Sequence, residues 1–117
     1  MQPWMKEHGG RYAVPPEIDA LVSAGLLADE SWHNETSPRF VQDHGGMCIV
    51  LWVERPAAAD REDASLPRFA LMVEPSNDPG GISLDLYGGD NLQVVLYILQ
   101  HAHNANQFKT ESRAVTQ

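Results

Sequence analysis

The longest apolar run, "MCIVLWVE" at residues 47–54, is apolar at both parities through Val53. Such a run predicts a central β-strand covered on both faces or lying against helices. "RFALMVE" at 68–74 predicts the strand that follows it. Between the two, "RPAAADREDASLP" is bounded by prolines and mixed in charge, the pattern of a long exposed loop. After the turn-rich "PSNDPGG", Ile82, Leu84 and Leu86 alternate with Ser83, Asp85 and Tyr87, which predicts a half-exposed strand. Upstream, Trp32 begins an extended segment, "NETSP" turns, residues 39–42 resume the extension, and "DHGG" at 43–46 is a second turn.

Two stretches carry the helical period. In the first, residues 16–24, Pro16 suits the first helical position, Glu17 and Asp19 complement the helix dipole, and Ile18, Leu21 and Val22 form one stripe. Gly25 can adopt the left-handed conformation that stops it, with Leu26 returning toward Leu21 in a Schellman arrangement. In the second, residues 90–104, Leu92, Val95, Leu96 and Leu99 follow at i, i+3, i+4 and i+7, and Val94 and Ile98 widen the face. Asp90 reads as its N-cap, with Gln93 reaching back. Beyond Asn104 the pattern is lost, so 105–117 reads as a frayed tail, while 1–14 reads as an arm anchored by Trp4 and Tyr12.

The expected fold is therefore α+β: a mostly antiparallel meander of three to five strands, flanked by an N-terminal and a C-terminal helix, in a single domain over residues 1–117. Val50 and Leu96 are the expected core markers.

Composition narrows the function. A hydrophobic fraction of 43% and a charged fraction of 21% are those of a globular chain rather than a disordered one. The N-terminal "MQPWMKEHGG" has no secretory apolar segment and the longest apolar run is too short to cross a bilayer, so the expectation is a cytoplasmic protein. Sixteen acids oppose eight Lys and Arg, for a formal charge of −8. Residues 15–35 carry Glu17, Asp19, Asp29, Glu30 and Glu35 without a Lys or Arg, and 69–108 carry Glu74, Asp78, Asp85 and Asp90 without one. Such a surface disfavours nucleic acid and anionic membranes and attracts basic proteins.

Candidate chemistry is sparse. Cys48, the single cysteine, lies between Met47 and Ile49 in the most apolar strand, where a thiol is a buried small hydrophobe rather than a nucleophile. His101 and His103, two apart on a helix, point about 200° from each other and cannot share one ion. No motif calls for a cofactor or a metal. The densest polar stretch, "SWHNETSPRF" at 31–40, borders the acidic segment and carries the residue types interfaces enrich.

Asp29, Glu30, Trp32, His33, Asn34, Glu35 and Arg39 are accordingly the expected binding residues of an inhibitor-like module, of the anti-defence, antitoxin or immunity kind, that occupies a basic protein surface. Two rivals stand beside it. One is a small hydrolase or metal-dependent enzyme built on His33, Glu35, Asp43 and His44. The other is a homodimeric structural subunit completed by a second copy.

Overall fold

Met47–Val53 forms the middle strand of a five-stranded sheet, with both of its faces largely buried. The structure, a computed structural model, describes residues 12–31, 37–61, 63–76 and 82–116. In chain order the elements are α1 (Pro16–Ser23), β1 (Ala28–Asp29), β2 (Arg39–His44), β3 (Met47–Val53), one 3-10 turn (Ala58–Asp60), β4 (Phe69–Pro75), β5 (Leu84–Gly89) and α2 (Leu92–Thr116). The strands lie in the order β1-β2-β3-β4-β5, each antiparallel to its neighbours. This is the small α+β meander with two helices that the hydrophobic pattern implies.

Local chemistry sets the turns. Gly25, at φ +81°, closes α1: its N–H donates to the Val22 carbonyl at 3.1 Å, and the Leu26 N–H donates to the Leu21 carbonyl at 2.9 Å. These are the two bonds of a Schellman stop. The turn after β2 is tighter than "DHGG" implies. Asp43 and His44 are still paired in the strand, with His44 opposite Met47, which leaves Gly45 and Gly46 as a two-residue hairpin loop. Gly45 takes φ +80°, as the first position of the favoured hairpin turns requires.

The pairing register sorts the sheet into two faces. On the first, Phe40, Ile49, Leu51, Val53, Phe69 and Leu71 pack with Ile18 of α1 and with Val95 and Leu99 of α2. Gln42 bolts this face to the helices. Its buried amide nitrogen donates to the carbonyls of Leu99 at 3.0 Å and Leu26 at 3.3 Å. On the second face, Val41, Cys48 and Val50 form a separate small cluster edged by Trp52 and Met72, and among the described residues no helix side chain belongs to it. Val50 is fully buried, as its position in the central run requires.

Expectations for α2 and β5 are corrected as well. Leu96 is only half-buried: the innermost positions of α2 are Val95 and Leu99, and Leu96 turns toward a groove beside Leu21 of α1. The α2 cap is Asn91 rather than Asp90, because the Gln93 N–H donates to Asn91 Oδ1 at 3.0 Å. Asp90 is engaged elsewhere, its Oδ1 accepting from the Arg68 N–H at 2.9 Å. Past Asn104 the backbone stays helical to Thr116. The apolar stripe ends there, but residues 92–116 contain no Gly or Pro, so docking loses its reason before helicity does. At about 37 Å, this helix outruns the sheet beneath it.

A further correction concerns β5. Leu71 pairs with Tyr87 but Met72 pairs with Asp85, so Leu86 is an extra residue in β5. This bulge shifts the alternation, and Tyr87 takes the place against the core. Ile82, Leu84 and Leu86 are left 89%, 68% and 43% exposed on an edge of the sheet.

The 55–68 connection is the long, mostly exposed loop that the sequence implies, and it is held in a fixed shape by Arg61. Arg61, its side chain almost wholly buried, donates to the carbonyls of Arg55 at 2.7 Å, Pro56 at 2.9 Å and Leu66 at 2.7 Å. Asp90 stands 3.4 Å from the same guanidinium. The Asp90 carboxyl is held below the usual range, first by the Arg68 backbone N–H and also by Arg61. The segment before α1 is pinned as well. Arg68 donates to the carbonyls of Tyr12 and Ala13, and the Arg55 guanidinium lies 5.3 Å from the centre of the Tyr12 ring.

Candidate functional site

Arg39 is the centre of the second face. As the first residue of β2 it points away from the helices and opposes Trp52 of β3, with its guanidinium 5.7 Å from the indole centre. Its Nη1 donates to Glu30 at 2.8 Å and its Nη2 to Glu74 at 2.9 Å. Glu74 is nearly buried at the end of β4, while Glu30, just past β1, is half exposed. One cation on β2 thus ties the end of β1 to β4 while lying over the Trp52 ring. Ser31 fixes the Arg39 backbone, its Oγ accepting from the Arg39 N–H at 3.1 Å. Around this network lie exposed Asp43 and Asp85 and half-buried Met72.

Of the expected binding residues, the structure brings Glu30 and Arg39 together. It gives Asp29 a local role, Oδ1 accepting from the Ser31 N–H at 3.1 Å. Trp32, His33, Asn34 and Glu35 lie outside the described residues. Trp52 and Glu74 complete the cluster, and sequence reading missed both. The one available signal was parity: with β2 and β3 paired through the Gly45-Gly46 hairpin, Arg39 must face Trp52.

The proposed catalytic set fares differently. His33 and Glu35 lie outside the described residues. Asp43 and His44 are consecutive in β2 and so point to opposite faces. Asp43 accepts from the Gly45 N–H at 3.1 Å. His44 Nε2 lies 2.6 Å from Gln42 Oε1. Because the Gln42 amide nitrogen must face two carbonyls, its oxygen faces His44, and His44 Nε2 is therefore the donor. Both side chains serve the hairpin rather than each other.

Cys48 is buried, and burial pushes its thiol above the usual value, with Glu74 adding to the effect. It is unsuited to act as a thiolate at neutral pH. His101 stacks on Tyr97 with ring centres 5.1 Å apart, whereas His103 lies toward Asp43 and the 25–28 turn, so the two diverge as helical geometry demands. Among the described residues, no group of three or more His, Cys, Asp or Glu is arranged to hold a metal ion, and no helix is long and apolar enough to cross a membrane.

Beside the Arg39 network lies a cavity of about 250 Å³, lined by Ser37, Trp52, Glu54, Leu66, Pro67 and Ala70. It opens between the second face of the sheet and the end of the 55–68 loop. Comparison of the chain with protein-family models, with curated proteins and with solved structures gives no match. The functional reading therefore stands on this surface alone.

Proposed function

We propose that the chain is a non-enzymatic, inhibitor-like binding module that covers a basic surface of another protein with the helix-free face of its sheet. The observation that carries this reading is the Trp52 and Met72 patch on that face, bordered by exposed Glu30, Asp43 and Asp85 and held by the Arg39 network. Aromatic, Met and Arg side chains at the centre with charge at the rim is the anatomy of a docking surface. The formal charge of −8 favours a basic partner. The anti-defence, antitoxin and immunity proteins remain the kinds of inhibitor whose size and charge it shares.

The test begins with the partner that co-purifies from the native host at low and high salt. Glu30, Asp43 and Asp85 are then changed together to Lys. All three are exposed, but Glu30 pairs with Arg39 and Asp43 accepts from the Gly45 N–H, so the variant should lose about 1 to 2 kcal/mol of stability while remaining folded. Its association rate at low salt should fall roughly tenfold or more, with the difference shrinking as salt rises. A variant that associates like the parent removes the reading.

Among the described residues nothing pairs with the outer edge of β5, where Leu84 and Leu86 are exposed, and this favours a second reading in which another copy adds its own edge there. Light scattering that returns the mass of one 13.0 kDa chain over a hundredfold range of concentration, reached in about two decades of dilution, excludes it.

A further inference from the structure

Glu54 and Glu74 are the two acids among the buried described residues, and they are treated differently. Glu74 is paired with Arg39. Glu54 is 7% exposed, yet its carboxylate has no hydrogen-bond or ion-pair partner among the described residues. Its backbone N–H donates to the Arg68 carbonyl at 2.7 Å. Its carboxylate lines the 250 Å³ cavity beside Trp52 and is the only charged group among the described residues of that lining.

We propose that this cavity is a socket for one arginine side chain of the basic partner, which seats its guanidinium between Trp52 and Glu54. The proposal rests on the docking reading above and names what that face recognises. Pockets for small-molecule ligands run from roughly 300 to 1,000 Å³, so about 250 Å³ suits a single side chain better than a metabolite. Leu66, Pro67 and Ala70 offer apolar walls to the methylenes of an arginine. The indole of Trp52 attracts a cation, and the Glu54 carboxylate can accept two parallel N–H bonds from a guanidinium. Lysine fits this pairing of a flat ring with a carboxylate less well, because its ammonium is a compact, strongly hydrated charge.

The chain's own described arginines do not fill the socket. Arg39 is held by Glu30 and Glu74, Arg55 by the Asp60 carbonyl, and Arg68 by the carbonyls of Tyr12 and Ala13. Arg61 is held by three carbonyls, one of which belongs to Leu66, so it also fixes a wall of the cavity. A desolvated arginine in a pocket beside an aromatic ring is the kind of anchor that dominates an interface.

The probe is the capped tripeptide acetyl-Gly-Arg-Gly-amide, with its citrulline counterpart as the neutral control. Binding is read from the Trp52 indole and Ala70 amide resonances of isotope-labelled protein. The arginine peptide should give saturable shifts at both positions, and the citrulline peptide should give none at the same concentrations. Glu54→Gln should weaken binding about tenfold or more. Ala70→Leu fills the cavity while leaving Glu54 in place, and should cause the same loss in a protein whose other resonances are unmoved. Absence of saturable shifts, an equal response to citrulline, or parent-like affinity in both variants overturns the socket.

Partner binding separates the two proposals. If the Glu30, Asp43 and Asp85 charge reversal abolishes association while Glu54→Gln and Ala70→Leu bind the partner like the parent, the socket falls and the docking face stands. If the charge reversal is without effect, the docking reading falls whatever the tripeptide does.

Discussion

Leu99→Ala is expected to destabilise the protein by about 3 to 5 kcal/mol, while Leu96→Ala, one turn earlier, should cost well under half as much. Leu99 is fully buried among Ile18, Phe40 and Ile49, so truncation leaves a cavity that surrounding strands cannot close. Leu96 is half-buried at the rim of the groove between α1 and α2, where lost contacts are partly replaced by water. The substitution at Leu99 leaves its carbonyl in place, so the bond from Gln42 survives and the effect reports packing alone. Small domains are stable by only about 5 to 15 kcal/mol, and a loss of this size should move the urea midpoint far toward zero. Equal losses at the two positions would mean that α2 meets the sheet through a different stripe.

Arg61→Ala should cost about 2 to 4 kcal/mol, a large effect for a residue in a loop. The cause lies in the acceptors left behind. The carbonyls of Arg55, Pro56 and Leu66 lose a charged donor together, in a place where the side chain is 3% exposed. Asp90 contributes little to that figure, since its own side chain is 65% exposed and its contact is long. Arg61→Lys should recover only part of the loss, because one ammonium cannot reproduce a planar fork aimed at several carbonyls. Limited proteolysis gives a second readout, with cleavage inside 55–68 accelerating in the Ala variant. A thermal or urea midpoint unchanged by Arg61→Ala would show that the loop holds itself without the guanidinium.

Features decided by neighbours in sequence were legible. The Gly25 stop needs only a left-handed residue and the carbonyls of Leu21 and Val22. The central strand followed from an apolar run without period, and the fate of Cys48 followed from its place in that run. What escaped was decided across the sheet. Asp90 has the right chemistry for a cap, but a backbone N–H 22 residues away competes for it and Asn91 takes the role. The bulge in β5 depends on how it registers against β4, which alternation within β5 cannot reveal. The site divides along the same line. Glu30 and Arg39, nine residues apart, were both marked by composition, whereas Glu74 meets Arg39 from 35 residues away and reads in isolation as one more surface acid.

The two-sided sheet has a consequence for how this chain can change over generations. Along β2, Phe40 and Gln42 answer to the helices, while Arg39, Val41 and Asp43, interleaved with them, answer to the opposite face. Adjacent codons are thereby placed under different selection. Replacements at exposed Asp85 leave the packing of α1 and α2 untouched, and isolated surface changes of this kind shift stability by only about 0.5 kcal/mol either way. Under the docking proposal, drift on that face tracks an altered counterpart one side chain at a time. Gln42, bonded to two segments at once, is the position least free to join it.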